Sequence, residues 1–372
     1  MKLYILLFKA LRSLYSRAFA ASAMLLILCS VAAFAQESAH GVNVGLVYPL
    51  STHGKHAGSY SNIFSLNVIA GVSREEKAFT MAGFANFIRE DATGFQVAGF
   101  SNFIGGFADG FKGAGFLNMY QSGRGFQVAG FANLAKRDIT GMQAAGFINT
   151  VRDLNGFQAA GFINIAGGNI HGTQAAGYIN IAGDVKGSQF AGFINIAKKV
   201  KGVQLAGFIN IADSSDYPIG IVNIIKNGEK WLGVTTDDNL TTLLTFRSGG
   251  RKLYGIIGVG YNFENTKDVF AMQYGLGAHL VGTGNFRLNA EATAISLENF
   301  KRGEFNKFSL SILPAVQLGP LEIFAGPSFN HVNTDTAEGR KLIGHYMWTD
   351  TNKDNRLNGL YIGYTAGVQM RF

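Results

Sequence analysis

Apolar and polar side chains alternate along most of the chain, and the alternation recurs as an eleven-residue phrase. In GVQLAGFINIA, residues Gly202–Ala212, one face of an extended strand carries Leu205 and Ile209, and the other carries Gln204 and Asn210. A period of two is typical of a β-strand, whereas a helix would tolerate the glycines poorly. The pattern therefore predicts one strand of about 10–12 residues per phrase, with a short polar turn after each strand.

The phrase recurs every 15 or 16 residues, which makes it an internal repeat. The asparagine near its end marks each copy: Asn86, Asn102, Asn118, Asn133, Asn149, Asn164, Asn180, Asn195 and Asn210. Alternation continues without the phrase up to Phe372, the last residue of LYIGYTAGVQMRF. About twenty strand candidates follow from this pattern.

These strands predict an all-β fold, a single antiparallel transmembrane β-barrel of about 20 strands. About ten residues tilted at 45° cross the hydrocarbon layer, and closure satisfies every backbone group there. The repeat strands would span residues 77–225 and the non-repeat strands residues 226–372. In this barrel the apolar face meets lipid, while Gln204, Asn210 and Phe208 face the lumen.

A β-solenoid of 15–16-residue coils, followed by an 8-stranded barrel, is the alternative architecture. It would remove the odd feature of a row of phenylalanines facing a watery pore. Three observations favour the single barrel instead: the spacing wavers, the alternation has no visible corner, and both faces are rich in apolar groups.

The N-terminus predicts export. Four basic residues precede an apolar run, and Ala33–Ala35 fits a small-x-small cleavage site, so residues 1–35 are a predicted signal peptide and residues 36–372 the mature barrel. Removing it takes away four basic residues and no acid, so the net charge falls from +8 to +4. That modest charge gives no support for nucleic-acid binding. Cys29 is the single cysteine, so the mature chain cannot form an internal disulfide.

The GxQxAGFxN units, preceded by GVNVGLVYPLSTHG and NIFSLNVIAGVS, resemble the surface-repeat proteins of Bacteroidota and spirochaetes. The resemblance covers about residues 41–225 and implies export to the outer membrane, without a defined activity. The chain departs from its own repeat at Lys112, where glutamine is expected, and in the shortened last unit, PIGIVN.

No catalytic constellation is visible. The mature histidines are scattered, and the chain contains no HExxH, no nucleophile elbow and no phosphate loop. We therefore predict that the protein is not an enzyme and has no organic cofactor. A lipid-modifying barrel enzyme is a weaker alternative.

One segment carries oxygen ligands at the spacing of a calcium loop. Asp350, Asn352 and Asp354 occupy alternate positions, Arg356 would offer its carbonyl, and Asn358 could follow. Tyr361 stands where such loops have a bidentate glutamate, so the prediction is a weak Ca²⁺ site; a solvated loop tip is the alternative.

Charged residues of the last strands fall on the lumen face: Arg287, Glu291, Lys307, Glu322 and Arg371. They would line a pore or pair with one another. The sequence therefore predicts an outer-membrane protein of a Gram-negative bacterium, either a porin-like channel or a surface-exposed envelope protein, with an adhesin or scaffold as the alternative. Its expected partners are outer-membrane lipid, the barrel-assembly machinery through Phe372, and an unidentified solute or surface partner.

Overall fold

The structure is a computed structural model that describes residues 41–265, 269–299, 304–352 and 354–372. The predicted signal peptide and the start of the mature chain lie outside these residues. The chain divides into two compact units, residues 1–129 and 130–372. Both units are built from β-strands, so the all-β class is confirmed. Within the described ranges, no helix has the length and apolar character needed to cross a membrane.

The first unit is a stack of mainly parallel strands, of which the third is the longest. Its strands are β1 (Val42–Val47), β2 (Leu50–Ser51), β3 (Ser61–Ser73), β4 (Glu75–Ala82), β5 (Ala85–Ile88), β6 (Ala92–Ala98), β7 (Ser101–Ile104), β8 (Phe107–Ala114), β9 (Leu117–Tyr120) and β10 (Ser122–Ala129). A 3-10 helix, Gly54–Ser59, follows β2. The long β3 pairs in parallel with β4 through its first half and with β5 through its second half.

The second unit begins with further coils of the same kind. Their strands are β11 (Ala132–Ala135), β12 (Ile139–Ala145), β13 (Ile148–Val151), β14 (Leu154–Ala160), β15 (Ile163–Ala166), β16 (Ile170–Ala176), β17 (Ile179–Ile181), β18 (Asp184–Ala191), β19 (Ile194–Ile196), β20 (Lys199–Ala206), β21 (Ile209–Ala212), β22 (Ser214–Ile219) and β23 (Val222–Ile225).

Each repeat forms two strands and not one. A long strand such as β14 ends at a Gly–Phe corner, and a short strand such as β15 follows. Long strands pair in parallel with long strands and short with short, so that Gln158 lies beside Gln174 and Asn164 beside Asn180. The first unit and the first part of the second unit are therefore built from β-solenoid coils, with about 11 turns in total.

Close stacking at two positions of every coil explains why the phrase contains two glycines. A Cβ placed on Gly172 would lie 1.9 Å from the carbonyl oxygen of Gly156, and the backbone there has a φ of +136°. A Cβ on the corner residue Gly177 would lie 2.1 Å from the carbonyl oxygen of Gly161. A side chain at either position would push adjacent coils apart.

The remainder of the second unit is a closed barrel. Its strands are β24 (Glu229–Asp237), β25 (Thr241–Gly249), β26 (Leu253–Asn262), β27 (Phe270–Thr283), β28 (Phe286–Glu298), β29 (Phe305–Leu318), β30 (Leu321–Thr334) and β32 (Leu357–Arg371). All neighbours are antiparallel, and β24 pairs with β32 to close the eight strands. The long connection before β32 contains a short helix, α1 (Ala337–Lys341), and the extra strand β31 (Trp348–Thr351).

The prediction of a single barrel of about 20 strands is wrong, and the alternative architecture is the one observed. The wavering period does not disturb the stack, because the extra residue is absorbed in the turn at 167–169, where the preceding turn has only 152–153. The chain turns a corner at Gly207–Phe208, although the alternating pattern continues through it. Gln204 and Asn210 point inward on either side of this corner, whereas Phe208 points outward.

Candidate functional site

The barrel interior holds buried charges in close pairs. The guanidinium of Arg247 donates to both carboxylate oxygens of Glu291, at 2.8 and 3.1 Å. The hydroxyl of Tyr254 donates to the same carboxylate at 2.9 Å. Arg247 also donates to Thr245 and lies 4.9 Å from the ring centre of Phe324. The positive charge is thus neutralised by one carboxylate and held by several contacts.

Two further ion pairs lie towards opposite ends of the barrel. Arg287 donates to both oxygens of Glu229, at 2.7 and 2.8 Å, and the indole of Trp231 donates to Glu229 as well. Lys307 pairs with Asp237, and both side chains are almost fully buried. These pairs join β28 to β24 and β29 to β24 across the interior, so they tie together strands that are not neighbours in the sheet.

The predicted lumen residues do lie on inward positions of the barrel strands, except that Arg371 is exposed at the strand end, its guanidinium 5.9 Å from the ring centre of Trp231. Glu322 is fully buried and accepts a hydrogen bond of 2.8 Å from Gln369. Sequence reasoning missed the partners Arg247, Asp237 and Glu229. Arg247 lies two residues after Thr245 on β25, and both side chains point inward. The alternating pattern alone could therefore have identified Arg247 as an inward residue.

Side chains fill the interior because eight strands enclose just enough room for them. Arg247 and Glu291 meet among inward threonines, serines and asparagines, and Lys307 lies apart from them beside Asp237. The sequence argument for a channel rested on a barrel large enough to leave an aqueous pore, and it does not apply to eight strands.

The outer wall of the barrel is apolar. Outward side chains remain substantially exposed around it, among them Leu244, Val259, Met272, Tyr274, Phe308, Leu310, Ile312, Ile323, Ile362 and Val368. An apolar surface of this extent marks an interaction surface for lipid or protein.

The segment predicted to bind calcium forms a hydrogen-bonded hairpin end. Asp350 pairs with Asn358 across β31 and β32. The side-chain oxygen of Asn352 accepts the backbone N–H groups of Asp354 and Arg356, at 3.1 and 2.8 Å. The guanidinium of Arg356 reaches Glu304 at 2.6 Å. Within the described residues no group of three or more His, Cys, Asp or Glu side chains could hold a metal ion; the calcium site stays a prediction.

Two columns of buried amides run through the solenoid of the second unit. Asn164 donates to the side chain of Asn180 at 3.0 Å and accepts from Asn149 at 3.0 Å. Gln174 donates to Gln158 at 2.9 Å, in the opposite direction along the stack. In the asparagine column each amide also donates to a backbone carbonyl oxygen, as Asn164 does to Ala175. The buried amides are therefore satisfied largely by their own repeats, although Oε1 of Gln204, at the end of the glutamine column, has no hydrogen-bond partner among the described residues.

The first unit places two ionisable groups inside its coils. Lys112 stands in the glutamine column, and its ammonium donates to the carbonyl oxygens of Asp109 and Gly94 at 2.5 and 3.3 Å. Burial lowers the pKa of Lys112 to about 7. Burial likewise raises the pKa of Glu76, although Ser65 donates to its carboxylate at 2.7 Å. Lys and Glu side chains are rarely buried in protein interiors.

The solenoid of the second unit has two unlike edges. We call the column of corner aromatics the aromatic edge; it consists of Phe131, Phe147, Phe162, Tyr178, Phe193 and Phe208. Successive rings stack 4.9–5.2 Å apart, and the first four side chains are 37–41% exposed. The polar edge lies opposite. It comprises the turns after the short strands and the first three residues of the long strands, and it carries every Lys, Arg and Asp between residues 130 and 225.

The last coil packs on the outer wall of the barrel. Asn223, the final residue of the asparagine column, accepts from Asn210 at 2.8 Å, and its backbone N–H donates to the hydroxyl of Ser248 at 2.9 Å. A Cβ placed on Gly255 would lie 2.1 Å from the carbonyl oxygen of Gly220. Ser248 and Gly255 both point away from the barrel interior, so the wall caps the open end of the amide column.

No protein-family model, no curated protein and no solved structure matched this chain. The resemblance to the surface-repeat proteins therefore stays a prediction, and the geometry carries the functional argument.

Proposed function

We propose that the protein is an integral outer-membrane protein whose eight-stranded barrel anchors a β-solenoid, and that it acts as an envelope scaffold and not as a channel or an enzyme. The observation that carries the proposal is the barrel itself, which is closed, apolar on its outer wall and ionically paired inside.

The strand lengths support a membrane-spanning role. Strands β27 to β30 and β32 contain 13–15 residues, enough to cross the hydrocarbon layer at the usual tilt. Closure leaves no unpaired sheet edge towards lipid. The proposed outer-membrane location agrees with this barrel.

The connections support a defined sidedness. One barrel end has short turns, at 250–252, 284–285 and 319–320, together with the C-terminal Phe372. The other end has one short turn, at 238–240, and the three longer connections, the last of which contains α1 and β31. Outer-membrane barrels place their short turns in the periplasm. The last solenoid coil packs beside the turn at 250–252, so we propose that the coils of the second unit lie on the periplasmic side and not on the cell surface.

Epitope tags test the sidedness. A tag inserted at Gly344, in the long connection, is expected to bind antibody on intact cells. A matched tag in the solenoid turn at Gly167–Gly168 is expected to bind only after the outer membrane is permeabilised. Labelling of the solenoid tag on intact cells would overturn the periplasmic placement and favour the adhesin alternative.

Electrical recording separates the scaffold from a channel. The purified mature protein is expected to require detergent, to migrate faster on unheated than on heated gels, and to give no stable conductance in planar bilayers. Stepwise conductance that changes in a Glu291→Gln variant would support the porin-like alternative instead.

A further inference from the structure

We propose that the aromatic edge of the second unit's solenoid lies in the periplasmic leaflet of the same membrane that the barrel spans, so that the coils extend sideways from the barrel along the lipid surface. This inference rests on the proposed function, because it requires the barrel to be embedded in the membrane.

The last coil of the solenoid packs against the outer wall of the barrel and not against its open end. The contacts of the last coil involve Ser248 and Gly255, whose side-chain directions point outward from the barrel. Strand β26 pairs Gly255 with Leu276, an outward residue that is 43% exposed. The coil is therefore seated next to positions that the proposed function assigns to lipid.

The orientation of the last coil decides which edge faces the membrane. Its corner, Gly220–Ile221, meets the barrel at Gly255. Residues Ser214–Tyr217 at the start of β22, together with the turn residue Asn227, surround a cavity of about 290 Å³ with the short turn at 250–252. Strand β26 runs from that turn into the barrel wall, so the corner contacts the wall deeper in the membrane than the polar edge does.

The aromatic edge therefore points towards lipid and the polar edge towards water. Ile221 continues the column of Phe193 and Phe208, since β23 stacks on β21 with Asn223 beside Asn210. Stacked coils repeat at about 4.8 Å, so the six rings form an apolar edge about 25 Å long. Phenylalanine is typical of the apolar face of elements that lie in the membrane surface, and tyrosine is enriched at the interface itself.

The faces beside the corner have the same character. Ile163, Ile179 and Ile194 flank it on the short-strand side, and Phe190 and Leu205 flank it on the long-strand side. No Lys, Arg, Asp or Glu lies on either flank between residues 130 and 225. A continuous apolar edge of this size marks an interaction surface, and its continuity with the lipid-facing wall makes lipid the occupant.

Site-specific fluorescence tests the placement. The predicted mature chain has no cysteine, so the variants Tyr178→Cys on the aromatic edge, Lys186→Cys on the polar edge and Leu310→Cys on the barrel wall each carry one label. The full mature chain is labelled with an environment-sensitive dye and inserted into phosphatidylethanolamine–phosphatidylglycerol vesicles that contain nitroxide-labelled lipid.

We expect lipid quenching and a blue-shifted emission at Tyr178 and Leu310, and quenching by aqueous iodide at Lys186. Quenching by lipid at Leu310 but not at Tyr178 would overturn this inference and leave the proposed function standing. If the Tyr178 label is then also shielded from iodide, a second copy or another protein covers the edge. Absence of lipid quenching at Leu310 would overturn the proposed function itself.

Discussion

The solenoid and the barrel of the second unit both bury polar groups and expose apolar ones, but they satisfy their interiors differently. In the solenoid an amide forms a hydrogen bond with the matching amide one repeat away, as Asn164 does with Asn180. In the barrel each charged side chain pairs with a different residue far along the chain, as Arg247 does with Glu291. The solenoid interior is uncharged and periodic, whereas the barrel interior is ionic and unique.

The difference shows why one interior can be extended and the other cannot. Adding a coil adds an amide that fits both neighbours, because the column is identical at every level. The barrel has no such freedom, since removing one partner leaves a buried charge without its counter-ion.

The largest expected effect is the loss of one partner in the barrel. Glu291→Gln leaves the Arg247 guanidinium, 3% exposed, without its carboxylate, and we expect the free energy of unfolding to fall by about 3–5 kcal/mol. Denaturant titration of the vesicle-inserted protein, followed by the gel shift of the folded form, measures it. The double variant Arg247→Met, Glu291→Met is the control and is expected to recover most of the loss. An equal loss in the double variant would contradict the ionic explanation.

The second prediction compares the outer surfaces of the two regions. Leu310→Arg places a charge on the barrel wall, where Leu310 is 63% exposed, and we expect it to cost about 2–4 kcal/mol if the site lies near the bilayer midplane. Leu205→Arg, on an outward position of the solenoid, is the matched change and is expected to cost about 0–1 kcal/mol, as near an interface. Unfolding in vesicles measures both. Equal costs would mean that the two surfaces meet the same environment.

The third prediction breaks the amide column. Asn164→Ala removes the donor to Asn180 and to the carbonyl oxygen of Ala175, and leaves buried groups unpaired. We expect the stability of the solenoid to fall by about 1–3 kcal/mol, measured by loss of β-structure in denaturant. Asn155→Ala on the preceding strand, β14, is the control, because Asn155 is exposed and its side chain makes no buried hydrogen bond within the described part of the chain. Similar losses from both variants would show that the column adds nothing specific.

The fourth prediction concerns a buried charge in a solenoid interior. In the first unit, Lys112 takes the place of a glutamine in the glutamine column. Its pKa of about 7 when folded lies below the value of an unfolded lysine, so the unfolded chain binds more protons between pH 7 and 10. Stability is therefore expected to rise with pH across that window, by about 1.4 kcal/mol per pH unit. Lys112→Gln is expected to flatten the profile and to raise stability at pH 7. Parallel profiles for both proteins would place Lys112 in contact with water.

The sequence by itself determined the all-β class, the repeat and the inward direction of its amides. Gln204 and Asn210 recur at fixed positions because each must meet its own copy in the next coil, and such a requirement is visible in one dimension. Alternation similarly identified Arg287, Glu291 and Lys307 as inward residues of their strands.

The tertiary structure alone decided whether a repeat forms one strand or two. Alternating residues fit a membrane strand and a solenoid coil equally well, because both are pleated and both have one apolar face. The corner at Gly207–Phe208 keeps the parity of the amides while turning the chain back, so local pattern cannot reveal it. The ion pairs of the barrel were equally hidden, since residues such as Lys307 and Asp237 meet only when eight strands close into a ring.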